Sequence, residues 1–167
     1  MEDNQKIILR PVEQKDEKFI FECENDSDLW IYSGATKTYT TEEIKQYVSK
    51  PQNLNNDGQE RFMIEFDTSL IGCIDLFNYD PLTLSVSVGI LIIDRYRNNG
   101  LASKSLKALE SKIRNEFNIK SLLANVLINN KASIYLFKNN GFSELKQSEY
   151  SYQNQTYIQY ELIKKLN

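Results

Sequence analysis

The spacing of hydrophobic positions along the chain changes several times, and each change marks an element. Ile7 to Arg10 is a short apolar run stopped by Pro11, which predicts an opening strand. From about Glu13 to Glu24, Phe19, Ile20 and Phe21 lie among charges, as in an amphipathic helix. Thr40-x-x-Glu43 is a capping-box pattern followed by Ile44 and Val48 at i, i+4, so a second helix is expected to run to Lys50. The period then falls to two. Phe62 to Phe66, Leu70 to Phe77 and Leu82 to Ile93 read as three consecutive strands, broken at Asp67-Thr68-Ser69 and at Asn78-Tyr79-Asp80-Pro81. Past Gly100, Leu101, Leu106, Leu109, Ile113 and Phe117 share one stripe of a long helix. Ser121 to Ile128 reads as a strand and Lys131 to Asn139 as a short helix, with Gly141 as its C-terminal glycine. Tyr150 to Tyr152 and Tyr157 to Ile163 alternate as a closing antiparallel pair. The order β-α-α-β-β-β-α-β-α-β-β predicts an α+β fold with a mixed sheet. Pro51 to Gly58 reads as a surface loop, no repeat or linker divides the chain, and residues 1–167 are expected to form a single domain.

Composition narrows the chemistry. A chain of 167 residues with 41% apolar and 11% aromatic positions has material for a real core, and a globule of this size buries roughly 70% of its unfolded surface without staples. Histidine is absent, which excludes Ser-His-Asp and Cys-His nucleophile systems, histidine bases and histidine zinc sites. A formal charge of −3 and a pI near 5.2 give no basic face for nucleic acid. Cys23 and Cys73 are far apart and form no C-x-x-C motif, so reduced, buried thiols are expected. The opening residues are polar with no apolar segment behind them, and Val88 to Ile93 is too short to cross a bilayer. The expectation is a soluble protein of a reducing cytoplasm, with no membrane partner.

Two stretches carry chemistry. In Val86 to Ser103 a buried strand runs through Arg97, Asn98, Asn99 and Gly100 directly into a helix. The first N–H groups of a helix lack intrahelical partners and sit at the positive end of its dipole, and glycine lets a phosphate approach them. The loop therefore suits a pyrophosphate, although Gly and Asn also serve an ordinary strand-to-helix connection. It is neither a Walker loop nor Gly-x-Gly-x-x-Gly. In the second stretch, Asn130, Ser133 or Ile134, and Phe137 fall on one helix face, equally readable as a capped helix with an apolar stripe.

Taken together, Arg97-x-x-Gly100-x-Ala102 resembles the acyl-CoA pyrophosphate motif of the GNAT N-acetyltransferase superfamily. Asn130-Lys-Ala-Ser-Ile-Tyr-Leu-Phe-Lys-Asn-Asn-Gly-Phe142 resembles the helix and Gly-Phe that the family carries downstream. The element order agrees over essentially the whole chain, and Leu9-Arg10-Pro11 before an acidic helix is similar to the branch of spermidine/diamine and ribosomal-protein N-terminal acetyltransferases. The resemblance implies a mostly antiparallel mixed sheet of about seven strands flanked by about four helices. It also implies acetyl-CoA as co-substrate, bound where the fourth and fifth strands splay, and no metal. The backbone of Ile90, Leu91 and Ile92 would pair with the pantetheine arm, with one N–H, that of Ile92, polarising the thioester carbonyl. The N–H groups around Arg97, Asn98, Asn99, Gly100, Leu101, Ala102 and Ser103 would hold the pyrophosphate, and Asn130 would touch the pantetheine. Lys104 and Lys138 are either 3′-phosphate contacts or surface lysines.

Two positions depart from the family pattern: a glutamate base on the fourth strand is replaced by Ser87, and a tyrosine acid on the last helix by Phe137. Catalysis is then expected to rest on positioning and the oxyanion-type contact, with Ser133 as an alternative hydroxyl and Tyr135 facing elsewhere. For the acceptor, Asp75 aligns with an acidic position of polyamine-acetylating relatives and reads either as an ammonium ligand or as a polar residue on an open strand face. Glu65 and Asp80 are weaker candidates. Trp30 and Tyr32 fall in the variable acceptor segment, where they stack on substrate or simply pack. No cysteine occupies an acylation position, which favours direct transfer. The expected activity is acetylation of a small amine or polyamine. Acetylation of a protein N-terminus and a non-catalytic acyl-CoA-binding module are the alternatives, and a homodimer or larger oligomer stays open.

Overall fold

The computed structural model describes residues 6–166. Seven strands form one sheet in the order β1-β2-β3-β4-β5-β7-β6. They are β1 (Ile7–Pro11), β2 (Glu60–Phe66), β3 (Ser69–Asp80), β4 (Ser85–Ile92), β5 (Ser121–Leu127), β6 (Ser143–Tyr152) and β7 (Gln155–Lys165). Every neighbouring pair is antiparallel except β4 and β5, which run parallel. The helices are α1 (Glu17–Glu24), α2 (Ser27–Ser33), α3 (Thr41–Ser49), α4 (Leu54–Asp57), α5 (Leu101–Glu116) and α6 (Lys131–Asn139).

The period-two pattern of the central strands reflects burial on both faces. On one face Phe62, Ile64, Ile74, Leu76, Val88 and Ile92 pack with the α5 stripe of Leu101, Leu106, Leu109 and Ile113. On the other, Met63 and Cys73 pack with Ile20 of α1 and with Ile44 and Val48 of α3. The predicted capping box on α3 is present: Thr40 Oγ1 accepts the Glu43 amide at 3.2 Å and the Glu43 carboxylate accepts the Thr40 amide at 2.8 Å. Such a cap is worth about 1 kcal/mol.

Four differences from the sequence reading have local causes. The four expected helices are joined by α2 and α4, short segments held by their ends. Asp26 caps α2, which closes at left-handed Gly34, and Asn53 caps α4, which closes at left-handed Gly58. The stretch read as a surface loop therefore contains a helical turn that buries Leu54. β3 runs on through Asn78, Tyr79 and Asp80, and the break falls at 81–84, where Leu82 is 93% exposed and belongs to the turn. β6 begins at Ser143, well before Tyr150, as an edge strand with most of its residues in solvent and no apolar alternation to announce it.

α6 ends as its glycine requires. Gly141 sits at φ 87°, its N–H donates to Lys138 O, and the Phe142 N–H donates to Phe137 O at 3.1 Å. This is a Schellman turn, and the edge-to-face pair of Phe137 and Phe142, 5.0 Å between centroids, is its accompanying apolar contact.

Candidate active site

β4 and β5 are paired only at Ser85–Ser121, Val86–Leu122 and Ser87–Leu123, and beyond Ser87 they separate. The N–H of Ile93 donates to Ile71 O at 2.9 Å, which fixes the alternation along the β3–β4 ladder. Gly89 and Leu91 bond to β3, while Ile90 and Ile92, past the Ser87–Leu123 pair that still holds the Val88 N–H, turn their N–H and C=O groups into the gap. Leu91 is thus a correction to the expected set: its backbone is committed to Cys73, and its side chain packs on the α1–α3 face.

After β4 a short 3-10 turn, Asp94–Tyr96, leads to the loop before α5. Arg97 braces this loop. Its Nε–H donates to Ile92 O at 2.8 Å, its Nη1 lies 2.8 Å from Asp94, and its own N–H donates to Asp94 O. Of the two gap-facing residues, Ile92 therefore keeps its N–H but not its carbonyl. Asn99 is a brace as well, with its Nδ2–H donating to Arg97 O at 2.9 Å. Both residues shape the loop: the Arg97 N–H and the side-chain amide of Asn99 are spent within it and are not free for a phosphate. Asn98 at φ 60° and Gly100 at φ 71° turn the chain through two left-handed positions. No side chain caps α5, so the N–H groups of Leu101, Ala102 and Ser103 point out of its start. A Cβ built on Gly100 would have no atom within 4 Å, so the approach to these amides is open. Ser103 Oγ is tied to the buried Asn140, at 2.8 Å, and this bond joins the start of α5 to the end of α6.

On α6, Asn130 is first a cap: its Oδ1 accepts the Ser133 amide at 3.1 Å, leaving only its NH₂ for a ligand. Ser133 is half-buried in the groove wall, and among the described residues its hydroxyl has no protein partner. Phe137 also borders the groove but is 4% exposed, and its ring is held by Phe142. It has no proton to give and serves as a wall. Tyr135, expected to face elsewhere, lies on the groove rim and is 71% exposed. Lys138 leans toward Glu144 and over the Tyr160 ring, while Lys104 stands over Phe66.

The gap, the loop and α6 open into one groove of about 2450 Å³ that continues between α1, α2, α3 and the strands β2 and β3. A pocket for a single small ligand is about 300–1,000 Å³, so this one has room for two. Its second half is acidic: Glu22, Glu24, Asp26, Asp28, Glu43, Asp57, Glu60 and Asp75 line it against Arg61 alone. Asp75, read as an ammonium ligand or as a polar residue on an open strand face, is bound within the protein. It lies opposite Arg61 across the β2–β3 ladder and takes a two-pronged ion pair, Nε–Oδ1 2.6 Å and Nη2–Oδ2 2.9 Å. Arg61 Nη1 also reaches Glu24 at 2.7 Å, and its guanidinium lies over the Tyr47 ring. Asp26 and Asp28 have no cation partner among the described residues. The weaker candidates fall away: Glu65 pairs with Arg10 at 2.6 Å, and Asp80 holds the β3–β4 turn through Leu82 and Thr83.

Tyr32 is 58% exposed on the groove rim. Trp30 turns the other way, and its indole N–H donates to Glu24 O at 2.8 Å, occupying a carbonyl left over at the end of α1. Burial pushes the Cys23 thiol up to about 11 and Cys73 higher still, so neither offers a thiolate. Among the described residues no helix is long and apolar enough to cross a membrane. Arg61 and Glu24 were not visible as site residues in the sequence, where Arg61 is only one charge ahead of an apolar strand.

A family profile described as "Acetyltransferase (GNAT) domain" matches residues 6–143. The chain belongs to the GNAT family of N-acetyltransferases. Among curated members, the spermidine N(1)-acetyltransferase of Escherichia coli K12 is 22% identical over 137 residues, which is 82% of this chain and 73% of that one. The crystal structure of spermidine N-acetyltransferase from Vibrio cholerae in complex with CoA and spermine superposes with a TM-score of 0.84 at 18% identity, covering 96% of this chain and 95% of that one. The ribosomal L7/L12 alpha-N-protein acetyltransferase in complex with coenzyme A gives 0.81 at 14% identity, covering 96% and 94%. The seven-stranded sheet with its single parallel pair is thus the fold of this GNAT branch.

In this GNAT chain Asp75→Asn is expected to act first on stability. Losing a charge-assisted bond to Arg61 should cost about 1.5–3 kcal/mol, read as a lower thermal midpoint with CoA affinity unchanged. A rise in amine KM without that shift would instead give Asp75 the ammonium-binding role.

Proposed function

We propose that this chain, as one domain over residues 1–167, transfers the acetyl group of acetyl-CoA directly to a primary amine of a small polyamine. The observation that carries this reading is the opposite character of the two halves of the groove. One half offers unpaired backbone N–H groups at β4 and at the start of α5, and the other offers eight carboxylates against one guanidinium. The residues fit a CoA: the open approach over Gly100 suits the pyrophosphate, and the gap beside Ile90 and Ile92 suits the amide-bearing pantetheine arm.

A primary amine with a pKa near 10 is neutral in only about one part in a thousand at pH 7, a penalty of roughly 4 kcal/mol. Asp26 and Asp28 recruit the ammonium and pass its proton toward water. The neutral amine attacks the thioester carbonyl, and the Ile92 N–H, with that of Ile90 beside it, stabilises the oxygen as charge develops. The nitrogen of the intermediate gives up its extra proton as the C–S bond breaks, and the departing thiolate takes one up, relayed through the Ser133 hydroxyl or water, since Phe137 has none. A thiol with a reference pKa near 8.5 leaves without a strong acid. With both cysteines held as thiols, no acyl-enzyme is formed. The likeness to the ribosomal-protein enzyme favours a second reading, acetylation of a peptide N-terminus, in the same groove. The reduced thiols also fit a cytoplasmic setting.

The test is thiol release from acetyl-CoA across polyamines, aminoglycosides and peptides. Turnover with spermidine or a diamine, and little with the others, is expected. Faster release with peptides selects the second reading. Tight CoA binding with no release for any amine leaves a non-catalytic acyl-CoA-binding module.

A further inference from the structure

We propose that a tyrosine arch closes the acceptor end of the groove and limits the acceptor to a slender, linear amine, with Tyr150 as the specificity-determining residue. This rests on the acetyl-transfer reading above and deepens it.

The arch has two feet. The first is the end of α2, where Gly34 at φ 76° turns the chain toward Ala35. The second is the β6–β7 hairpin. β7 leaves its ladder with β5 at Gln159–Leu127, whereas β6 and β7 stay paired as far as Tyr152–Gln155. The last part of the hairpin is thus a two-stranded arm beyond the sheet, and such an arm is marginal in water without support. Its support is specific. The Tyr152 hydroxyl donates to Ala35 O at 2.8 Å, joining residues 117 positions apart. Tyr150 stacks on Tyr152 with 6.3 Å between ring centroids and 13° between planes, and it meets Tyr157 at 6.4 Å.

Gly34 and Tyr150 both line the groove, and a Cβ on Gly34 would lie 3.7 Å from the Tyr150 hydroxyl. The Tyr152–Ala35 bond therefore closes this end from outside while Tyr150 faces inward. Burial pushes the Tyr150 hydroxyl above its ordinary range, so it stays protonated, and it has no protein partner among the described residues. A neutral ring face in the same groove as Asp26 and Asp28 attracts a cation, and a free hydroxyl can accept from an ammonium. A methylene chain bearing ammonium groups satisfies both and passes beneath the bridge. A folded polypeptide end or a branched aminoglycoside does not pass.

The experiment measures spermidine and a serine-initiated peptide against wild type, Tyr150→Ala and Tyr152→Phe. It uses calorimetric binding to the CoA-loaded protein alongside kcat/KM. Tyr150→Ala should weaken spermidine about 10-fold, the scale of a partly desolvated cation–π contact, and should strengthen the peptide, with CoA affinity unchanged. Tyr152→Phe keeps the ring and removes only the bridging donor, so it tests the arch even if the alanine variant fails to fold. It should shift the spermidine-to-peptide ratio in the same direction by a smaller factor. The arch is overturned if wild type binds the peptide as tightly as spermidine, or if neither variant moves the ratio by more than twofold. Amine binding that follows these ratios without acetyl release would overturn the transfer reading and leave the arch standing.

Discussion

Gly100→Val abolishes CoA binding while the chain stays folded: this is the expected result at the start of α5. Gly100 stands at φ 71°, and a Cβ there would meet nothing within 4 Å. The substitution therefore collides with no protein atom. Its cost to the fold is the left-handed backbone, about 1–2 kcal/mol for a residue with a Cβ, or roughly 2–8 °C in the thermal midpoint for a domain of this size. Its cost to the donor is larger, because the new methyl groups stand over the uncapped amides of Leu101, Ala102 and Ser103. Calorimetry should show CoA affinity falling at least 100-fold, with Gly100→Ala falling less. Affinity within threefold of wild type in a folded Gly100→Val protein would place the pyrophosphate elsewhere.

The second large effect is on the sheet. A Cβ on Gly72 would lie 1.9 Å from Leu91 O and 3.0 Å from Leu91 C, both backbone atoms that cannot swing away. The crowding follows from the register: Ile71 is an extra residue on β3 between the Ile64–Gly72 and Glu65–Leu70 pairs, and this bulge brings β3 close against β4. Gly72→Ala must push apart the strands that present Ile90 and Ile92. Overpacking usually costs about 1–3 kcal/mol, and a backbone collision of this depth is expected at or above the upper end. The midpoint should fall by roughly 10 °C, or the protein should become insoluble. A melting curve matching wild type would mean that the β3–β4 spacing is looser than the structure has it.

The parts legible in the sequence were those whose signal is local. The loop ahead of α5, the capped helix α6 and its Schellman glycine each lie within a dozen residues, and their motifs pointed to the right family and fold. What stayed hidden depends on partners distant in the chain. That Asp75 is bound by Arg61 follows from a ladder register, and that Glu24 joins them follows from where α1 ends. Neither is visible in spacing. For Trp30 the sequence left stacking on substrate and packing both open, and a spare carbonyl on α1, out of sight in the spacing, turned it inward. α2 was missed although Asp26 and Gly34 bracket it, because seven residues with no buried side chain show no stripe.

The three-pair seam between β4 and β5 has a consequence for amide hydrogen exchange. Ile90 and Ile92 have side chains packed in or against the core, yet their amides have no strand partner. Along the end of one continuous strand, slow and fast exchange should alternate residue by residue: Gly89 and Leu91 retain their protons and Ile90 and Ile92 lose them. The strand thus carries an unfinished edge through the interior of the protein, and a ligand that bonds to it adds protection at every second amide, giving a labelling pattern that reports occupancy without any measure of turnover.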